Sequence, residues 1–181
     1  MNNDTHITQL LADPDRRDEA FRLLMQRYGR SLYWHIRRIV VDHDDAEDSL
    51  QDTAISVLAG LDNYRGDSEL GTWLYRIATN QALLLLKRRK RWYQRLDDLG
   101  PALAERLPAA DDINAGQAER LFQQAVLELP TQQRIAFNLR YYDELPYEQI
   151  AVITGKSVST LKTNYHYAVT RIKNYIKQHA S

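Results

Sequence analysis

The chain has 181 residues, with 24 basic side chains, 24 acidic side chains and no cysteine. The absence of cysteine excludes disulfides, thiolate metal ligands and a cysteine nucleophile. The length allows one ordinary domain or two small ones. The first thirty residues lack the apolar core of a signal peptide, and the longest apolar run, Ala82–Leu86, is too short to cross a bilayer. We therefore expect a cytoplasmic protein without direct membrane insertion.

The neutral total conceals a segregation of charge along the chain. Residues 1–70 carry 8 basic and 14 acidic side chains, residues 71–95 carry 7 and 0, residues 96–130 carry 2 and 7, and residues 131–181 carry 7 and 3. Two basic zones therefore alternate with two acidic ones. This arrangement indicates two nucleic-acid surfaces, joined and flanked by segments that face something else.

Apolar residues at three- and four-residue spacing predict helices and no strand in the first half of the chain. The predicted elements, in chain order, are helices over Asp18–Gly29, 32–40 and Asp44–Leu61, a polar loop over Asp62–Glu69, and an acid-free helix from Gly71. The third helix begins with carboxylates, which interact favourably with the positive end of the helix dipole, and it ends near Gly60. Its buried stripe is predicted to consist of Leu50, Ala54, Val57, Leu58 and Leu61.

Residues 96–117 combine glycines, prolines and acidic pairs with little helical periodicity, which predicts a flexible acidic linker. The acids of this linker are Asp97, Asp98, Glu105, Asp111 and Asp112. Helices follow over Ala118–Glu128, Pro130–Tyr142, Pro146–Ile153 and Ser157–Lys177. The predicted fold class is all-α, with two small helical domains, residues 1–95 and 118–181, the second of which contains a helix-turn-helix.

The helix-turn-helix prediction depends on the last two helices. Pro146 suits the first turn of a helix, Gly155 can take the left-handed conformation of a turn, and Ser157 can cap the next helix. In that helix the apolar residues share one face: Val158, Leu161, Tyr165, Ala168 and Ile172. The outward residues include short polar donors of the kind that read a major groove. An ordinary helical hairpin with a solvated face is the alternative.

Two histidines and nearby acids are also compatible with an enzymatic site. His35 and His43 with Asp42, Asp44 and Asp45 suggest a metal or acid–base site, but exposed acids at a helix start are the commoner explanation. No glycine-rich phosphate loop or paired-histidine motif is present. The sequence therefore predicts no catalytic activity, no cofactor and no metal.

Three sequence blocks follow one another along the chain: DDAEDSLQDT, then YRGDSELGTWLYRIATNQA, and later LPYEQIAVITGKSVSTLKTNYHYA. In this order they resemble the extracytoplasmic-function sigma factors, the small promoter-specificity subunits of bacterial RNA polymerase, over roughly residues 21–176. The resemblance implies core RNA polymerase and promoter DNA as partners, and an anti-sigma factor as inhibitor. A free-standing helix-turn-helix regulator of operator DNA is the alternative, but it leaves the second block unexplained.

The resemblance implies that the helix over Asp44–Leu61 docks on the clamp helices of the polymerase's largest subunit. The implied contacts are Asp45, Asp48, Gln51 and Asp52. A solvated acidic face, well placed for the helix dipole, is the alternative for the same residues. The linker resembles a family segment that threads toward the active-site cleft, and a solvated tether is its alternative.

The loop Asn63–Glu69 and the helix after it resemble the part of the family that binds the downstream promoter element, at minus ten, as single-stranded DNA. Capture of melted DNA needs a pocket for a flipped base and cations for phosphates. The candidates for the pocket are Tyr64, Asp67 and Ser68. The candidates for tracking the strand are Arg76, Asn80, Lys87, Arg88 and Arg91.

Other residues of this basic helix are open to more than one interpretation. Trp73, Leu74 and Ile77 share an apolar face and are predicted to belong to the core rather than to stack on bases. Trp92 and Tyr93 remain ambiguous. A solvated basic end is the alternative for the Lys87–Arg91 run.

The last helix resembles the family's reader of the upstream element, at minus thirty-five, as duplex DNA. The candidate readers are Lys162, Thr163, Asn164, His166 and Tyr167, with Ser159 and Thr160 nearer the phosphates. The family commonly has arginine where Asn164 and Tyr167 stand, so fewer guanine contacts are expected. The family also commonly has Asp or Asn in place of Leu84, a departure that we attribute to packing against the first helices.

Overall fold

The computed structural model describes residues 3–97 and 116–180. Over these residues the chain forms eight α-helices, two short 3-10 turns and no strand, which confirms the all-α prediction. The chain divides into two compact units, residues 1–101 and 102–181. Most of the predicted linker, the side chains of its acids and the side chain of Tyr93 lie outside the described residues.

Unit 1 contains the four helices α1 (Asn3–Leu11), α2 (Arg17–Val40), α3 (His43–Gly60) and α4 (Leu70–Asp97). Short 3-10 turns lie at Pro14–Arg16 and Leu61–Asn63. Helices α2, α3 and α4 pack against one another, and α1 packs on α2. The largest fully buried side chains of this unit are Leu24, Leu32, Ile36, Ile39, Leu74, His35 and Val57.

Helix α2 is continuous where the sequence predicted two helices. Gly29, the expected end of the first, lies inside α2. A glycine in a helix interior costs only about 1 kcal/mol, and the buried stripe continues across it from Leu24 to Leu32, so packing of α2 outweighs that cost. Helix α1 was not predicted, although Ile7 and Leu10, three residues apart, form its buried side.

Helix α3 ends at Gly60 as predicted. The predicted stripe is confirmed at Val57 and at Leu61, just after the helix, but not at its other positions. The buried residues are Asp45, Ala46, Ser49, Thr53 and Val57. Small side chains allow the neighbouring helices to approach α3 closely, and the Thr53 hydroxyl is satisfied by donating to the Ser49 carbonyl at 2.7 Å. The core face of α3 is therefore small and partly polar, and Leu58, expected in the core, is 49% exposed.

Unit 2 contains α5 (Gln117–Leu127), α6 (Thr131–Tyr141), α7 (Tyr147–Thr154) and α8 (Val158–His179), each within two residues of its predicted bounds. Helix α8 packs on the other three. One cluster of buried residues joins α5, α6 and α8, and it consists of Ala125, Val126, Leu129, Phe137, Ala168 and Ile172.

The turn between α7 and α8 has the predicted geometry. Gly155 has a φ of 69°, in the left-handed region that favours glycine, and its N–H donates to the Ala151 carbonyl at 2.9 Å. The Ser157 side chain accepts from the Thr160 N–H at 3.1 Å, which caps α8. The predicted inward face of α8 is also confirmed, because Leu161 is buried.

Candidate nucleic-acid interfaces

One exposed face of α4 carries most of the residues predicted to track a DNA strand. We call it the α4 stripe, and it consists of Arg76, Asn80, Leu84, Lys87 and Arg91. All five are exposed, and at 3.6 residues per turn they fall within about 80° of arc. Leu84 is 47% exposed in the middle of this stripe, so its attribution to packing against the first helices was wrong.

The cationic run Lys87–Arg91 is divided between α3 and solvent. Arg89 Nη1 lies 2.6 Å from Asp45 Oδ2, and Arg88 Nη2 lies 3.3 Å from Asp52 Oδ2. Lys87 and Arg91 have no ion pair within the described residues. Arg88 was predicted to track DNA, but part of its charge is balanced by α3, whereas the cations of the α4 stripe are available to phosphates.

Asp45 was predicted to face outward, and this prediction was wrong. Its side chain is 12% exposed and turns toward Arg89 on α4. Burial raises the pKa of Asp45, and the guanidinium of Arg89 opposes that rise. The carboxylate is therefore a structural link between α3 and α4.

The exposed polar residues of α3 lie on the same helical face as an apolar surface. Asp48 and Gln51 are exposed as predicted, and the same helical face continues through Ile55 and Leu58, which are 67% and 49% exposed. We call these four residues the α3 outer face. Its apolar half was not predicted from the sequence, although Ile55 follows Gln51 by four residues and so shares its face.

The loop between α3 and α4 brings two pocket candidates together. The Tyr64 hydroxyl donates to the Ser68 carbonyl at 2.9 Å, while Asp67 is exposed at the loop tip. Burial raises the pKa of Tyr64. Its ring centroid lies 5.0 Å from that of Trp73. The two rings therefore form one half-buried aromatic wall beside an exposed polar tip.

Trp73, predicted to belong to the core, is half-buried and lies beside Gly60 at the end of α3. A Cβ added to Gly60 would lie 3.1 Å from the Trp73 ring, so the glycine that ends α3 also leaves space for the indole. Leu74 is fully buried. Trp73 thus supports the loop.

The seven predicted upstream readers lie on the first half of α8. Six are exposed, and Asn164 is half-buried. The Thr160 hydroxyl is within hydrogen-bonding distance of Ser157 Oγ, 2.8 Å away, so it belongs partly to the cap. Lys162 Nζ lies 5.8 Å from the centre of the Tyr147 ring, and Arg140 Cζ lies 5.1 Å from the same centre.

Sequence reasoning missed Arg140 and Tyr147 because they lie on α6 and α7, distant in sequence from α8. A cation over a tyrosine face contributes about 0.5–1 kcal/mol at an exposed site. Tyr147 therefore restricts where Lys162 can point, and Arg140 adds a second cation beside it.

The histidines considered for an enzymatic site have structural contacts. His35 is fully buried, and its Nε2 lies 2.8 Å from Thr79 Oγ1. His43 Nδ1 lies 2.7 Å from the Tyr33 hydroxyl. Within residues 3–97 and 116–180, no group of three potential ligands is arranged to hold a metal ion.

None of the described helices combines the length and apolar character needed to cross a bilayer.

Comparison with known proteins identifies both units. Residues 24–92 match Sigma-70 region 2, and residues 119–172 match Sigma-70 region 4. The chain is 31% identical to the ECF RNA polymerase sigma-E factor of Escherichia coli K12, over 88% of this chain and 87% of that protein. It is 32% identical to the RNA polymerase sigma-H factor of Pseudomonas aeruginosa, over 90% and 88% of the two chains.

Solved structures agree with these sequence matches. The sigma factor RpoE of Bartonella quintana, solved in complex with the anti-sigma factor NepR, superimposes with a TM-score of 0.70 at 26% identity, over 87% of this chain and 96% of that one. CnrH, solved with the cytosolic domain of CnrY, has the same fold, with a TM-score of 0.70 at 20% identity over 98% and 99% of the two chains.

The fold and the two matched regions define the class as sigma factors, the non-enzymatic subunits that direct RNA polymerase to promoters. Within that class the chain belongs to the extracytoplasmic-function (ECF) family. It is therefore a factor for promoter-specific transcription initiation. The match over region 2 accounts for the block that a free-standing helix-turn-helix regulator leaves unexplained.

The link between α3 and α4 predicts a pH-dependent change in stability when Arg89 is replaced. Arg89→Gln is expected to destabilise unit 1 by roughly 1–3 kcal/mol at pH 7, because it leaves the Asp45 carboxylate buried without its cation. The pKa of Asp45 then rises further above its ordinary value of 3.8. Since the folded state now holds that proton more tightly than the unfolded state, the deficit relative to the wild-type protein shrinks as the pH falls through the raised pKa.

Urea unfolding of the full chain between pH 7 and pH 4 measures this deficit. Arg91→Gln is the matched control, because Arg91 is exposed and has no ion pair within the described residues, so its loss is expected to change stability by less than 0.5 kcal/mol, roughly. Equal effects of the two substitutions, or a deficit independent of pH, would contradict the assigned role of the Asp45–Arg89 pair.

Proposed function

We propose that the chain has no catalytic activity of its own and divides promoter recognition among three surfaces, acting with core RNA polymerase in the cytoplasm. Residues 1–95 bind polymerase and the downstream element, residues 118–181 bind the upstream element, and residues 96–117 join them. The observation that supports this division is the separation of exposed charge in unit 1. The acid Asp48 lies on the α3 outer face, and the cations Arg76, Lys87 and Arg91 lie on the α4 stripe.

The downstream surface combines the α4 stripe with the loop that contains Tyr64, Asp67 and Ser68. A protein that does not use ATP can stabilise melted DNA only by binding unpaired bases more tightly than paired ones. The loop offers a polar tip beside an aromatic wall for one extruded base. Lys87 and Arg91 of the α4 stripe then neutralise phosphates of the same strand.

The polymerase surface is the α3 outer face. Interface cores bury apolar side chains, and charged groups at the rim set orientation and association rate. Ile55 and Leu58 supply the apolar part, and Asp48 and Gln51 the polar part. Asp52 lies at the margin, paired with Arg88. Asp45 is not part of this surface, because its carboxylate is buried against α4.

The upstream surface is the exposed side of α8, presented by the capped turn. Lys162, Thr163, His166 and Tyr167 are exposed to base edges, and Ser159 lies near the helix start where phosphates bind. Asn164 is half-buried but has the amide that pairs with adenine. Arg140 provides a further cation, because its guanidinium lies over the same Tyr147 ring as the Lys162 ammonium.

An anti-sigma factor is the inhibitory partner that we infer. The support is RpoE, which was solved in complex with NepR and which matches 87% of this chain at 26% identity. Ile55 and Leu58 are also exposed apolar side chains, and a partner that covers them removes their apolar surface from water. A partner that covers them competes with core polymerase for the same face.

Removal of cations from the α4 stripe is expected to weaken binding to melted DNA. The double substitution Lys87→Ala and Arg91→Ala lowers the affinity of holoenzyme for a promoter with a pre-melted downstream element, and it lowers the slope of log affinity against log salt by about 0.7 per cation. Arg88→Ala is the comparison, with a smaller loss because Arg88 is paired with Asp52. An effect on core-polymerase affinity alone would overturn the assignment.

Apolar residues on α3 and α4 offer a matched test of polymerase docking. Leu58→Ser and Leu84→Ser remove equally exposed side chains, 49% and 47%, from different helices. Fluorescence titration with core polymerase is expected to show a loss of roughly tenfold or more for Leu58→Ser and none for Leu84→Ser, since a buried interface side chain contributes about 1–3 kcal/mol. Equal losses for the two variants would refute the α3 outer face as the docking site.

Substitutions in α8 are expected to change sequence preference rather than overall affinity. Asn164→Ala and Lys162→Ala each remove about 1–3 kcal/mol of discrimination at the base that they contact. Selection of upstream elements from a randomised promoter library by holoenzyme measures this preference. Lys173→Ala, an exposed lysine farther along α8, is the control. The assignment fails if all three variants select the same upstream sequence as the wild type.

A further inference from the structure

Helix α2 contains a second acid-free basic segment that the charge of the surrounding region conceals. Residues 20–41 contain five arginines and no Asp or Glu, although residues 1–70 as a whole are acidic. None of the functions proposed above uses α2, whose buried stripe packs on α3 and α4. The arginines of this helix therefore need a separate account.

The arginines of α2 are not equivalent. Arg27 is engaged by α1, since its Nε lies 3.0 Å from Asp4 Oδ1. Arg30 is exposed and Arg37 is half-buried, and neither has an ion pair within the described residues. Positions 30 and 37 lie two turns apart on one face of α2, about 10 Å along the helix axis.

An exposed tryptophan lies between these two arginines. Trp34 is four residues after Arg30 and three before Arg37, so the three side chains fall within about 60° of arc. Its indole is 47% exposed, and its only described ring contact is edge-on with Tyr33, at 5.4 Å between centroids. We call Arg30, Trp34 and Arg37 the Trp34 surface.

The chemistry of this surface fits a single-stranded nucleic acid. A flat exposed ring stacks on an unpaired base of any sequence, and cations on either side bind the phosphates that flank that base. Paired bases of a duplex do not offer their faces to such a ring. An acidic protein would satisfy the arginines through carboxylates but would leave the indole without a matching group, so the observations favour single-stranded DNA.

We propose that the Trp34 surface is a second contact for melted promoter DNA, separate from the α4 stripe, in which one base stacks on Trp34 and phosphates bind Arg30 and Arg37. The contact is independent of base identity, because stacking reads no hydrogen-bonding edge. It adds to the stability of the melted state without adding to promoter specificity. It rests on the assignment of the chain as a sigma factor but not on the role proposed for the α4 stripe.

Equilibrium binding of holoenzyme to a promoter with a pre-melted bubble, measured over a range of salt concentrations, tests the proposal. Arg30→Gln and Arg37→Gln are each expected to lower the slope of log affinity against log salt by about 0.7. Arg22→Gln is the matched control, because Arg22 is exposed on the same helix about 12 Å before Arg30 along its axis, and its removal changes net charge equally. Its slope should equal that of the wild type.

Substitution of the tryptophan separates stacking from charge. Trp34→Ala is expected to weaken binding to the bubble promoter by roughly tenfold, with an unchanged salt slope, and Trp34→Phe should retain most of the affinity because it keeps an aromatic face. Both variants should unfold in urea like the wild type, since the ring is half exposed. Core-polymerase affinity, measured separately, should not change.

Three results would overturn the proposal. One is an unchanged salt slope in both arginine variants, and another is equal affinity of Trp34→Ala and the wild type for the bubble promoter. The third is a loss of core-polymerase affinity in these variants with DNA binding intact, which would make the Trp34 surface a protein-docking site. Because Lys87→Ala with Arg91→Ala is measured on the same template, a failure of the α4 stripe is recognised independently.

Discussion

The close packing of α3 against α4 is the constraint on which the rest of unit 1 depends. Small side chains on α3, among them Ala46 and Ser49, let the helices approach, and the Asp45–Arg89 pair joins them where α4 becomes cationic. This packing decides which acids of α3 and which cations of α4 face outward. The surfaces that we propose for polymerase and for DNA thus lie on two helices held together by close packing and by the Asp45–Arg89 pair.

The second consequence of this packing concerns charge. The five basic residues of the Lys87–Arg91 run are not equivalent in the structure. Acids of α3 balance the charges of Arg88 and Arg89, whereas Lys87 and Arg91 lie on the α4 stripe. Leu84 lies between the exposed polar residues of the α4 stripe instead of in the core. In unit 2 the equivalent organising contact is Tyr147, which holds Lys162 and Arg140 around one ring.

The sequence predicted the helix-turn-helix closely because its determinants are local. A glycine at the turn, a serine cap and an apolar period in α8 are each satisfied within a few residues of one another. The predictions for α2 and α3 were less accurate. Gly29 does not end a helix whose buried stripe continues on both sides. Apolarity alone misplaced part of the buried face of α3, where Ser49 and Thr53 are buried and Leu58 is exposed.

The sequence by itself determined the all-α class, the order of the elements from α3 to α8, the acid-free block of α4 and the resemblance that led to the family, because periodicity, capping and motif spacing are properties of neighbouring residues. Only the tertiary structure decided that Asp45 is a buried link, that Ile55 and Leu58 are exposed, and that Arg30 and Trp34 are exposed beside a half-buried Arg37. Those outcomes depend on which helix packs against which face, and that choice is made by close packing between residues distant in sequence.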